Sequence, residues 1–328
     1  MNTLPSCSDY STSIVVKELV KAPQLDGGSP EMHNGRPIKY TGGFCIVFPY
    51  QTPSKKYAVR CWHAHLEGAQ ERTKTISEKL SQLELPYFVE FEYVDNGIAT
   101  PSGIQPVVLM EWVDAQPLKA YIKEHLSEST ILKSLAENFK NMAKVLHENS
   151  ISHGDLQHGN IMVKTNGDIV LVDYDSMYVP ELEGWSDEIR GLQGYQHPAR
   201  WKAKKLSPKA DYFSELVIYT SILALAERPS FWQELDMENT DTLLFSADDI
   251  ASPDTATIFC KLEKLSSTKR LSSKIKEFLR CTSIEELQPI EQAVESIGDI
   301  LSKKWDDNGY TPQPPYGKED VKKITNKF

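Results

Sequence analysis

His153-Gly154-Asp155-Leu156-Gln157-His158-Gly159-Asn160 is the densest run of reactive side chains in the chain, and its flanks leave few folds open to it. Before it, Ile131, Leu135, Phe139, Met142 and Leu146 recur at helical spacing and mark one face of a long amphipathic helix ending near Asn149. After it, Ile161-Met162-Val163 and Ile169-Val170-Leu171-Val172 flank an Asn166-Gly167-Asp168 turn, the pattern of a β-hairpin. The hairpin returns the chain and delivers Asp173-Tyr174-Asp175 beside the loop that carries Asp155 and Asn160. A carboxylate and an amide oxygen, completed by waters and phosphate oxygens, suit Mg²⁺, a hard cation that rarely takes all its ligands from protein. A second carboxylate nearby can orient or deprotonate a hydroxyl. Any one of these residues alone reads more simply as a turn or cap residue. The spaced set, between a helix and a hairpin, is what points to chemistry.

Around this centre the chain changes character near residues 112–114. Upstream, Phe44–Tyr50 and Tyr57–Trp62 are strand candidates separated by a Thr-Pro-Ser turn, and Tyr87–Val94 and Pro106–Val113 are two more. Asn96-Gly97 reads as a turn near the first of that second pair. Between the pairs, Ile76, Leu80 and Leu83 form one stripe of a helix that Pro86 ends. Residues 1–35 are polar, and Gln24–Pro30 reads as a loop. Downstream of the hairpin, residues 173–210 are loop-like, and helices dominate from Asp211.

Composition narrows the function. A chain that is 40% hydrophobic and 25% charged is ordinary globular protein. Its net charge of −10 repels phosphate backbones and anionic headgroups, which argues against a main role on nucleic acid or on a membrane surface. The longest apolar run, Leu216–Ala226, is too short to span a bilayer. No basic region opens the sequence, so no secretory signal is expected. Cys7, Cys45, Cys61, Cys260 and Cys281 form no CxxC pair and fit thiols of a reducing cytoplasm.

The HGDLQHGN…DYD arrangement resembles the catalytic loop and metal-binding triplet of the protein-kinase-like superfamily, HRDxxxxN and DFG. The pattern as a whole resembles divergent bacterial-type Ser/Thr kinase-like proteins, and its HGD form is also similar to the aminoglycoside and choline kinases. The resemblance implies an α+β, bilobal fold, with a small β-rich lobe at 37–112 and a larger helical lobe at 113–290. An N-terminal extension, 1–36, and a C-terminal tail, 291–328, flank them. It implies Asp155 as the catalytic carboxylate that receives a hydroxyl proton, Asn160 and Asp173 as Mg²⁺ ligands, and His153 as a support for the Asp173 turn.

Further landmarks follow in the family's order. Tyr57-Ala58-Val59-Arg60 is similar to the third-strand V-A-I-K, placing Ala58 and Arg60 in the ATP site, with Arg60 where the anchoring lysine stands. Tyr40–Val47 resembles the Gly-rich loop, with Gly42 and Gly43 near the phosphates but Tyr40 and Cys45 in place of two glycines. Val108–Val113 resembles the gatekeeper and hinge, with Met110 as gatekeeper and the backbone of Glu111 and Val113 facing the adenine. Gly191–Ala199 is similar to the end of an activation segment, and Asp211 to the buried Asp that ties down the catalytic loop.

Departures accompany the match. Gly154 stands where the family has Arg, so no phosphate on the activation segment is expected to find a partner there. Gln157 replaces a lysine that would face the transferred phosphoryl. Asp175 replaces the triplet's glycine; this third carboxylate is expected to be solvated, with metal binding as the alternative. The helix glutamate that pairs with the third-strand cation is unassigned, since the matching position is Ile76. The expected activity is therefore ATP- and Mg²⁺-dependent phosphoryl transfer to a protein Ser/Thr. The alternatives are a pseudokinase that serves as a nucleotide-binding or scaffold module with a protein partner, or a small-molecule phosphotransferase.

Overall fold

Period-two alternation along two adjacent strands organises the upper part of the molecule. The computed structural model describes residues 4–65 and 68–294. Helix α1 (Cys7–Ser13) precedes β1 (Ser29–Pro30), the small pair β2 (Met32–His33) and β3 (Arg36–Pro37), β4 (Tyr40–Thr41), β5 (Cys45–Gln51) and β6 (Lys56–Trp62). Helix α2 (Ala69–Leu83), β7 (Phe91–Thr100) and β8 (Gly103–Glu111) complete this lobe. The sheet is antiparallel in the order β1-β5-β6-β8-β7, with β4 also paired to β5. Successive side chains of a strand point to opposite faces. Ile46, Phe48 and Tyr50 of β5 and Tyr57, Val59 and Cys61 of β6 accordingly enter a buried cluster. Val47, Ala58 and Arg60 line a cavity.

The cluster is closed by the N-terminal segment, which contributes Tyr10, Ile14, Ala22 and Leu25 to it. Tyr10 donates its hydroxyl to the Trp62 carbonyl at 2.9 Å. Ser6 and Asp9 form a capping box that starts α1. This helix lies in a stretch whose polar composition showed no periodic face, because its apolar anchors are few and irregularly spaced.

Asn96-Gly97 is not the turn its sequence resembles. It lies within β7, where the register against β8 shifts between Val94 and Ile98. The Gly97 carbonyl there accepts from the N–H groups of Lys21 (2.8 Å) and Ala22 (3.1 Å). A Cβ at Gly97 would overlap the Val107 side chain. The glycine therefore serves a bulge that clamps the N-terminal segment to the sheet. The hairpin itself turns at Pro101-Ser102.

The lower lobe is helical. It comprises β9 (Gln116–Pro117), α3 (Leu118–Glu124), α4 (Ser129–Glu148), the hairpin β10 (Ile161–Val163) and β11 (Ile169–Leu171), and α5 (Tyr212–Glu227). Four shorter helices follow: α6 (Phe231–Glu234), α7 (Ala247–Ala251), α8 (Thr257–Leu262) and α9 (Lys269–Leu279). Leu135, Phe139, Met142 and Leu146 are the buried stripe of α4. Helix α5 contains the Leu216–Ala226 run and is buried on nearly every side, packed on α4, α6 and α9, as a helix apolar all round must be. Among the described residues no helix is long and apolar enough to cross a membrane. The architecture is α+β, with a curled sheet above and helices below. Residues 291–328 form a separate unit, described only for 291–294, which are helical. The rest of the expected C-terminal tail lies outside the described residues.

Candidate active site

A cavity of about 730 Å³ lies between the sheet and the helical lobe, within the size range of small-ligand sites. Its apolar walls include Val47, Ala58, Met110, Met162 and Val172. Glu111 and Val113 line the edge where β8 passes into the lower lobe. The Glu111 N–H is already donated to the Glu90 carbonyl at 3.0 Å, and Trp112 N–H to the Lys56 carbonyl at 2.9 Å. Val113 stands outside the strands, and its backbone N–H and carbonyl have no partner among the described residues. They are free to face a ligand.

Gly42 and Gly43 form the turn between β4 and β5 and line the roof. Gly42 N–H closes that turn on the Cys45 carbonyl at 2.9 Å, so it is spent within the loop. Tyr40, in the place of the first glycine, sets its ring 6.4 Å from Trp112. Cys45 also lines the cavity, but burial pushes its thiol up to about 12, so it is protonated and unreactive near neutral pH.

The floor is the loop between α4 and β10. Asp211, at the start of α5, makes no cap with its side chain. Instead its carboxylate accepts from the backbone N–H groups of His153 and of Gly154, the latter at 2.9 Å. His153 is fully buried; it accepts from the Asp155 N–H at 3.3 Å through Nδ1 and donates Nε2–H to the Val172 carbonyl at 2.9 Å. Burial holds its imidazole below the usual range, hence neutral, as that bonding pattern requires. It thereby joins the loop to the residue before Asp173.

Asp155 lines the cavity with its carboxylate held at both oxygens. Oδ1 accepts from the Leu192 N–H at 3.1 Å and Oδ2 from Asn160 Nδ2 at 3.0 Å. Burial pushes its pKa up to about 6, against the pull of those two donors. Asn160 spends its NH₂ on the Asp155 carbonyl (2.9 Å) and carboxylate, which leaves its Oδ1 without a partner among the described residues. Gln157 folds inward to accept from the Gly159 N–H at 2.6 Å and brings no charge to the cavity.

Asp173 adopts a left-handed backbone (φ 67°), an uncommon conformation for a non-glycine residue. It opens its half-exposed side chain to the cavity. Arg60 reaches it at 3.2 Å, but the closer partner of Arg60 is Asp175. Asp175 is therefore not solvated: its side chain is 15% exposed and lies in an ion pair. Burial pulls Arg60 down, yet the two carboxylates outweigh it and hold the guanidinium above its ordinary value, charged throughout. Arg60 is the one cationic side chain among the residues lining the cavity.

Helix α2 supplies no acid to Arg60. Glu71 and Glu78 are exposed, Ile76 is core, and the charged residue buried on this helix is Arg72, which donates to the Met177 carbonyl at 3.1 Å. Gly154 has φ 78°, and a Cβ there would overlap the Ser176 carbonyl oxygen, so no arginine fits in this backbone. A different arginine reaches this loop. Arg200, 1% exposed, donates to the Gly154 carbonyl and to both carboxylate oxygens of Asp187.

The structure thus brings Gly42, Gly43, Ala58, Arg60, Met110, Glu111, Val113, Asp155 and Asp173 onto one cavity, with Asn160 bonded to Asp155 beside it. The residues that sequence patterns did not reveal are Arg72, Asp175 in its ion-pairing role, and the Asp187–Arg200 pair. Arg72 had one signal: it sits four residues before Ile76, on the stripe that Leu80 continues. The other two rest on contacts between distant segments.

Among the described residues no cluster of three or more His, Cys, Asp or Glu could hold a metal alone. The half-exposed Asp173 carboxylate, which lines the cavity, and the Asn160 Oδ1 beside it are hard oxygen donors. That set suits Mg²⁺, which keeps waters and phosphate oxygens in its shell. The family described as Protein kinase domain matches residues 41–288 of the chain. No curated protein matches it.

Proposed function

The chain belongs to the protein kinase domain family, has the bilobal fold of a kinase-type phosphotransferase, and we propose that it moves the γ-phosphoryl group of ATP to a Ser or Thr hydroxyl of a protein. The observation that carries the proposal is the convergence of Asp155, Asp173 and the sole cation Arg60 on one apolar-walled cavity. Val113's free backbone groups suit an adenine edge, and Met110 and Ala58 suit its faces. Arg60 suits the phosphates. Asn160 Oδ1 and Asp173 would hold Mg²⁺, which when bound neutralises charge on the transferred group.

Asp155, oriented by Leu192 and Asn160, accepts the proton of the incoming hydroxyl. The new O–P bond forms as the bond to the β-phosphate oxygen breaks. A carboxylate titrating near 6 is ionised at neutral pH yet basic enough to take that proton late in the transfer. One surrounding feature also favours transfer to a macromolecule: the Asp155 carboxylate is held by Leu192, in the long segment 187–200. The five free thiols fit a cytoplasmic site of action. A binding-only reading has one observation on its side, the inward-turned Gln157.

Labelling with γ-labelled ATP and Mg²⁺ in a protein mixture, followed by phosphoamino-acid analysis, tests the reading. Labelled Ser or Thr that disappears in Asp155→Ala, with nucleotide binding retained, is the expected result. Label confined to small molecules would make the chain a small-molecule kinase. No transfer with retained function of Asp155→Ala in a cell would make it a scaffold.

A further inference from the structure

Arg60 finds its acid in the segment that also carries Asp173. Its Nη2 bonds Asp175 and lies 3.2 Å from Asp173 Oδ1, and its side chain is only 9% exposed. We propose that Asp175 is a positioning residue: it neutralises and fixes Arg60 so that Arg60 faces the nucleotide phosphates and Asp173 stays available to the metal. The inference rests on the nucleotide reading above.

Three observations carry it. First, the usual source of an acid is closed, since the inner face of α2 presents Arg72 to the Met177 carbonyl while Glu71 and Glu78 point to solvent. The charge order is reversed, with the cation on the helix and the acid in the triplet. Second, Asp175 lies in the 3₁₀ turn Tyr174–Ser176 and has no positive φ, so nothing in the backbone demands glycine there. Third, Arg60 Nη2 lies between Asp175 and Asp173, and removing one partner of a buried guanidinium leaves its charge to the other. Without Asp175 the remaining acid beside Arg60 is Asp173, and Arg60 would compete with the cation for it. The arrangement also means that one turn, 173–177, delivers both the metal-side acid and the partner of the cation, with no contribution from an α2 carboxylate.

A double-mutant cycle on the full chain tests this, using Asp175→Asn and Arg60→Met with two readouts. The first is urea unfolding of the ligand-free protein. Arg60 and Asp175 are expected to be coupled by at least about fivefold in the unfolding constant. The second is calorimetric ATP binding against Mg²⁺ concentration. Asp175→Asn is expected to raise the Mg²⁺ needed for half-saturation at least about fivefold when Arg60 is present and by less than about twofold in the Arg60→Met chain. Asp175→Glu is expected to restore most of the loss. Additive unfolding effects overturn the proposal. So does a Mg²⁺ shift that persists without Arg60, which would make Asp175 a direct ligand. If Arg60→Met binds no nucleotide, the unfolding cycle together with the Asp175→Asn shift decides by the same thresholds. A wild type that binds no ATP sinks the functional reading itself, and coupling measured in that case reduces Asp175 to a structural ion pair.

Discussion

Arg200 and Asp187 form a buried, doubly bonded ion pair, Nε to Oδ2 at 3.0 Å and Nη2 to Oδ1 at 3.2 Å. The third nitrogen, Nη1, donates to the Gly154 carbonyl and to Gln196 Oε1, the latter at 2.6 Å. Arg200, neutralised by Asp187, thus ties the segment 187–200 to the loop that carries Asp155, so no phosphate is needed to balance this arginine. Breaking a buried pair from one side leaves an uncompensated charge. Asp187→Asn is expected to cost about 3–5 kcal/mol, read as the loss in urea unfolding free energy. Phosphatase treatment of the wild type is expected to leave ATP affinity unchanged; a severalfold loss would mean that the segment needs phosphate after all.

Gly154→Arg, which restores the family's residue, is expected to harm rather than help. The position combines a left-handed φ of 78° with a Cβ site already filled by the Ser176 carbonyl. The cost is about 2 kcal/mol or more, from strain plus displacement of the 173–177 turn. Thermal melting reads it, and an unchanged midpoint would mean that the loop relaxes freely.

With Asp155 as the proposed proton acceptor, transfer is expected to depend on pH. Its carboxyl titrates at about 6 in the folded chain because burial opposes ionisation. Activity per bound nucleotide is expected to rise with pH through a half-maximum near that value and to level off above it. A profile flat down to pH 5 would remove Asp155 from the rate-determining proton transfer.

The same shift has the opposite sign for stability. A carboxyl raised from 3.8 to about 6 on folding binds its proton more tightly in the native state. Its stabilising contribution is complete below the unfolded value and is lost as pH rises through 6, so the ionised group is a burden at neutral pH. Asp155→Asn is expected to gain about 1–3 kcal/mol at pH 7.5 and nothing near pH 4, measured by urea unfolding at both. Equal gains at the two pH values would assign the effect to packing instead.

Much of this molecule was legible before its structure. Strands β5, β6 and β8, the stripe of α4 and the β10–β11 hairpin all follow from local periodicity, since each buries one face against one neighbour. The spacing from Asp155 through Asn160 to Asp173 reads clearly because a hairpin of fixed length returns the chain to its start. What escaped depends on the meeting of distant segments. Asn96-Gly97 looks like a turn but serves a bulge whose partner lies at residues 21–22. Asp175 looks solvated because its partner, Arg60, is on a strand far away in the sequence. Arg200 carries no signal of its own until Asp187 is placed beside it.

The most direct test of the central claim is calorimetric ATP binding with and without Mg²⁺, on wild type and on Asp173→Asn. Mg²⁺-dependent binding by the wild type is expected, and Asp173→Asn is expected to abolish it or weaken it by at least about tenfold, the size of one lost charged contact. Absence of binding under either condition, or binding that ignores both Mg²⁺ and the substitution, would contradict it.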